Sequence, residues 1–186
     1  VDGNRGDQPL YNVGGLEPSA KSIGMTVEIG PGQAFVPTDG GGDPTGGDPL
    51  QEFSQYTLIN NRQTKSVTLA APPSTGGRLD LLVGEPVQVV DEQKNLHLWD
   101  DAQEMIVTSG NTFATREHQS LRIKVLSVTN AQGAYNPSSS GSAMASLLAG
   151  KTGIVPLAAA LVAAGDTKVN TLLDVRPTLA AKISAM

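Results

Sequence analysis

Apolar and polar residues alternate with a period of two along much of the chain, and Gly or Pro cuts each run short. Met25, Val27 and Ile29 alternate with Thr26 and Glu28, which predicts a strand with one buried and one wet face. Gly30-Pro31-Gly32 then turns the chain into a second strand ending near Val36. Ser54–Asn60 and Lys65–Ala70 read as two more strands, with Asn60-Asn61-Arg62-Gln63 as a hairpin turn between them. Arg78–Val90 is a long strand in which Pro86 predicts a bulge, a break or an edge position, because proline donates nothing to a ladder. Leu96–Trp99 and Met105–Thr108 are short strands around Asp100-Asp101. In Gln119–Thr129, Leu121, Ile123 and Val125 share one face and Arg122 and Lys124 the other, until Leu126 and Val128 break the polar face. Val155–Ala164 and Val169–Val175 form a closing pair, with Gly165-Asp166 as the turn. One helix is predicted, Ser142–Leu148, with Ser140 or Ser142 as cap and Gly150 as stop.

The intervening segments follow neither period. Residues 1–22 read as an extended arm, either disordered alone or ordered against a partner, and residues 23–186 as one β-rich structural domain. Thr38–Asp48 is Gly- and Asp-rich and predicts an exposed loop. The predicted fold class is therefore mainly β: a β-sandwich or small β-barrel with one short helix and an extended N-terminal arm.

Composition narrows the chemistry. Aromatic residues make up 4% against 39% hydrophobic overall, so the core is built from Val, Leu, Ile and Ala. The 21 Gly and 12 Pro leave little room for long helices. A charged fraction of 17% suits a subunit whose surface is covered by neighbours. The net charge of −5 argues against nucleic-acid binding, which needs clustered Lys and Arg. With no Cys, thiolate catalysis, disulfides and Cys-ligated zinc are excluded. The longest apolar run, Ile154–Ala164, contains Pro156 and falls short of the ~18 residues of a membrane span. The polar start Val1-Asp2-Gly3-Asn4-Arg5 has no signal-peptide pattern.

Four phrases in fixed order carry a resemblance: Gly24–Val36, Val67–Pro73, Arg78–Val83 and Leu172–Pro177. Together with Val155–Gly165, they resemble the small β-rich attachment domain of tailed-bacteriophage minor tail and baseplate proteins. The resemblance covers roughly Gly24–Pro177 in patches. Glu104–Leu148 matches nothing in it and reads as a candidate insertion. The resemblance implies a non-enzymatic virion structural protein, a tail or baseplate connector or fibre-attachment module assembled in the host cytoplasm. Its implied partners are further copies of itself, preferably a trimer, and other tail or baseplate proteins. It implies no cofactor. Relatives often continue into a receptor-binding region after the counterpart of Pro177, whereas this chain stops at Met186, which points to a connector more than an adhesin. The alternatives are a capsid decoration or head-fibre protein and, in another class, a carbohydrate-binding module or depolymerase. The few aromatics lean against the last.

The individual constellations favour structure over catalysis. Arg78 and Asp80 share one strand face and form an ion pair, either within the chain or ordering a subunit contact. With Val1, Leu10 and Tyr11 of the arm and Arg176 of the closing phrase, they make up the candidate interface. No catalytic, cofactor-binding or metal-binding residues are assigned. Asp39, Asp43 and Asp48 are hard oxygen donors but lack the register and closing Glu of a calcium loop. His97, near Asp100, Asp101 and Glu104, suits a polar turn, and His118 is distant in sequence. Arg5-Gly6-Asp7 matches an integrin-binding tripeptide, with chance the better reading.

Overall fold

The computed structural model describes residues 13–37, 56–151 and 153–176. Within them the chain forms ten strands and one helix: β1 Val13–Gly15, β2 Pro18–Ala20, β3 Thr26–Ile29, β4 Gly32–Pro37, β5 Tyr56–Asn61, β6 Lys65–Thr68, β7 Gly77–Asp100, β8 Met105–Asn130, α1 Ser140–Leu148, β9 Val155–Ala163 and β10 Thr171–Asp174. The fold is mainly β with one short helix, as the alternation predicts. No sheet closes into a barrel among the described residues.

The first six strands are three chain segments, each bent once at the same level. β1 pairs with β4, and β2 with β3, in a register that stays constant from Val13 opposite Ala34 to Ala20 opposite Val27. β5 and β6 add on the far side, against β4 and β3 respectively. The two three-stranded sheets are thus halves of one folded meander. At the bend, Gly15 (φ 70°) and Leu16 (φ 58°) both take the left-handed conformation. For Leu16 that costs roughly 1 kcal/mol, offset because the side chain is completely buried. The Leu16 amide donates to the Pro31 carbonyl at 3.0 Å and the Gly30 amide to the Glu17 carbonyl at 2.9 Å, so pairing continues through the corner. On the other side, Arg62-Gln63-Thr64 faces only Gly30-Pro31, and the Asn61 side-chain amide donates to the Gly30 carbonyl at 2.9 Å to fill the mismatch.

Two sequence expectations change here. Asn60-Asn61-Arg62-Gln63 is not a hairpin turn: β5 and β6 do not pair with each other but continue one segment around the corner. Residues 13–20, placed in the arm by their Gly and Pro content, are strands paired on their own chain. Residues 1–12 lie outside the described residues.

The second layer is a four-stranded antiparallel sheet in the order β10-β9-β7-β8. One face packs on the inside of the meander, joining Leu16, Val27, Ile29, Val36 and Ile59 to Leu82, Leu121, Leu157, Ala160 and Val162. That makes a β-sandwich. The other face carries Leu79, Leu81 and Val83 and is covered by Met144, Leu147 and Leu148 of α1. Leu126 and Val128 join this second cluster, which explains why the polar face of β8 turns apolar there: the helix lies over it. β9 is buried on both faces and therefore reads as a continuous apolar run. Ala149 and Gly150 (φ 66°) end α1, as predicted, but no side chain caps its start.

β7 pairs with β9 only as far as Gly84 opposite Val155, while its pairing with β8 continues to Asp100 opposite Met105. Pro86 falls just past the last β9 pair, at the edge position its missing donor requires. Leu96–Trp99 and Met105–Thr108 are not separate strands but the outer parts of β7 and β8. The sequence pattern breaks between them because the described side chains there are mostly exposed and no buried face enforces alternation. Residues 104–148, read as a candidate insertion, contain β8 and α1 and so supply one edge of the sheet and its outer cover.

Candidate functional site

Arg78 and Asp80 stand two residues apart on β7, both pointing to the meander side, with side chains 9% and 1% exposed. Arg78 Nε donates to both Asp80 oxygens at 2.8 and 2.9 Å. Its two terminal nitrogens donate to the carbonyls of Ala71 (2.6 Å) and Ala70 (2.8 Å), and Ser127 Oγ on β8 donates to Asp80 at 2.6 Å. The pair ties the segment leaving β6 to the middle of the main sheet and is enclosed by its own chain.

Arg176 performs a similar task at the other end. Its Nε donates to Asp174 Oδ1 at 2.8 Å and its Nη1 to the Gly15 carbonyl at the meander corner. The hydrogen bond from Arg176 holds the Asp174 carboxyl below its ordinary range, against the opposing effect of burial. The same bond raises the Arg176 guanidinium above its ordinary value. Val1, Leu10 and Tyr11 lie outside the described residues; of the remaining candidates, Arg78 pairs with Asp80, and Arg176 meets Gly15 of the segment read as the arm.

Glu85 anchors a third cluster, at the level where β9 ends. It lies opposite Arg122 and diagonal to Lys124 on the α1 side of the sheet, bonded to both. Burial pushes its carboxyl up, but hydrogen bonds and attraction from Lys124 and Arg122 outweigh this, and the net shift is downward. On the meander's outer surface, Lys21 and Ser66 hydrogen-bond Glu28 and hold its carboxyl low.

Asp100 Oδ1 accepts from the Ala102 and Gln103 amides, fixing the turn between β7 and β8. His97 lies beside Thr108 Oγ1 at 3.2 Å, exposed. His118 lies opposite Val89 in the ladder. No group of three or more metal-ligating side chains exists among the described residues. Arg5-Gly6-Asp7 and the loop with Asp39, Asp43 and Asp48 lie outside them.

What the described surface does offer is exposed apolar side chains on sheet faces and edges. Phe35 and Leu58, neighbours across β4 and β5, are both exposed, and Phe35 borders a shallow groove of ≈ 370 Å³ with Gly14, Gly32 and Gln33. A second groove, of ≈ 330 Å³, runs between β6 and the base of the β7–β8 pair, lined by Lys65, Val67, Val87, Leu121 and Ile123. Val90, Met105 and Ile106 stand exposed farther out on β7 and β8. Sequence reasoning singled out none of these, nor Glu85: Phe35, Leu58, Val67, Leu121 and Ile123 read as ordinary strand positions, and the stretch holding Val90, Met105 and Ile106 read as broken runs. The available signal was the matched length of the two runs flanking Asp100–Glu104.

Comparison with protein-family models, with curated proteins and with solved structures finds no match for this chain.

Proposed function

We propose that this chain is a non-enzymatic structural subunit of a tailed-phage virion, a tail or baseplate connector that assembles with further copies of itself and with neighbouring tail proteins. The observation that carries the reading is where the phrases of the resemblance fall. Gly24–Val36 spans β3 and β4, Arg78–Val83 is the centre of β7, Val155–Gly165 covers β9, and Leu172–Pro177 overlaps β10. They are packed strands and their stitches, Arg78–Asp80 and Asp174–Arg176, and Val67–Pro73 leaves β6 and supplies the Ala70 and Ala71 carbonyls to Arg78. The charged clusters of the described residues serve ladders and turns, which suits a scaffold that presents faces and edges to neighbours. Apolar burial at those contacts would supply most of the assembly free energy, with strand pairing giving register.

The test is incorporation. The full chain is expected to co-sediment with phage particles through a density gradient, and a chain lacking residues 1–12 is expected to stay behind while melting at the unchanged temperature. Normal incorporation of the truncated chain would sink the arm's role. Absence of the full chain from particles would sink the virion reading.

A further inference from the structure

The sandwich ends and the ribbon begins at Glu85. β7 is buried without a break from Gly77 to Glu85, and half-buried or exposed from Pro86 to Val90. β9 stops pairing with it at Gly84, and from Pro86 outward the ladder to β8 is its only strand pairing among the described residues. At ~3.3 Å per residue that part of β7 extends about 50 Å. Two contacts grip the ladder at its base. From the meander, the Lys65 ammonium donates to the carbonyl of Leu121, the residue opposite Pro86, which has no N–H to offer it. On the α1 side, one Glu85 oxygen accepts from Arg122 Nε and the other pairs with Lys124. The Glu85 side chain is 11% exposed, whereas Arg122 and Lys124 are half exposed. One carboxylate therefore holds two cations. Neither α1 nor β9 adds a charged side chain there, and Lys151, between them, is positive as well.

We propose that Glu85 is an acid-released latch on the ribbon: ionised, it locks the base of the β7–β8 ladder, and protonated, it lets the ribbon loosen from Pro86 outward while the sandwich stays folded. Protonation leaves Arg122 and Lys124, two apart on one face of β8, without their counter-charge, and like charges on neighbouring sheet positions repel. The Lys65 contact does not titrate in acid and remains as the pivot. The release stays local because β9 and α1 hold the sandwich side of Glu85, whereas a two-stranded ribbon alone is marginal in water. A small loss at its base therefore shows in its own opening before that of the core. The folded Glu85 carboxyl titrates below its ordinary range, so the latch holds above about pH 4.3 and releases as pH falls through the lowered value. The device is independent of the proposed place in a virion.

Hydrogen exchange of the full chain tests the latch, with Glu85→Gln as the form that carries no charge at any pH. At neutral pH the Val87–Asp100 and Met105–Ser120 amides of this variant are expected to exchange several-fold faster than in the parent, and those of Leu79–Val83 and Leu157–Val162 to change less. Taking the parent to about pH 3, below the ordinary glutamate value, and correcting for the chemical exchange rate is expected to bring its ribbon to the variant's level. The variant's own ribbon should not change further. Glu28→Gln removes a carboxylate likewise held low, but on the meander's outer surface, and is expected to leave the ribbon as it is. Ribbon amides that keep the parent's protection in Glu85→Gln, or a rise of equal size in ribbon and core, overturn the latch. Equal loosening of the ribbon in Glu28→Gln also overturns it, because the effect would then belong to any lost carboxylate.

Discussion

Asp80 is the side chain whose loss should be felt most. It is buried, accepts two bonds from Arg78 and one from Ser127, and its removal leaves a buried guanidinium without its counter-charge. Breaking a buried pair from one side costs roughly 3–5 kcal/mol, so urea denaturation of Asp80→Ala should show a loss of about that size. A loss near zero would mean that water reaches the site. Glu85 acts through pH. Its folded pKa lies below its unfolded one, so the stabilisation is fully present above the unfolded value, about 4.3, and is lost as pH falls through the lowered folded value. Glu85→Gln is therefore expected to flatten the acid limb of the stability profile, measured by urea midpoints from neutral to acid pH. An acid limb identical to that of the parent chain would contradict the assignment. The Arg78–Asp80 spacing was legible in the sequence, because residues two apart on a strand share a face. The carbonyl partners Ala70 and Ala71 were not, because backbone acceptors leave no mark in a sequence.

Strand existence was readable wherever one face is buried, as in Thr26–Ile29 and in Gln119–Thr129 with its covered end. Pairing was not. Gly30-Pro31-Gly32 and Asn60–Gln63 both carry turn composition, yet each is a corner in one bent meander, since a sharp bend and a hairpin ask for the same residues. Of the outer halves of β7 and β8, Leu96–Trp99 and Met105–Thr108 were readable as strands, whereas their continuity with the inner halves was not, because exposed strands need no alternation. The corner itself has a sharp test in Gly32. A Cβ there would lie 2.3 Å from the Leu16 amide nitrogen and 2.5 Å from the Gly14 carbonyl oxygen, both backbone atoms that cannot swing aside. Gly32→Ala is expected to cost about 1–3 kcal/mol, the range of an overpacked core, read as a lowered thermal midpoint. An unchanged midpoint would show that the corner can open without loss.

For the whole molecule, a sandwich stitched by Arg78–Asp80 and Arg176–Gly15 forms a fixed body, and the β7–β8 ribbon extends from it with no third strand paired to it among the described residues. Such a body suits a part that holds neighbours in place. Its small aliphatic core and plentiful Gly and Pro were visible in composition, whereas the ribbon, which sets the molecule's reach, emerged only from the pairing of two runs that looked broken. The central claim is that this body belongs to the virion tail. Immunogold electron microscopy of intact phage particles, with antibody raised against the purified protein, tests it most directly. Gold at the tail tip is the predicted result; particles without label, with the protein left in the unassembled fraction, would contradict it, and gold confined to the capsid would contradict the tail assignment.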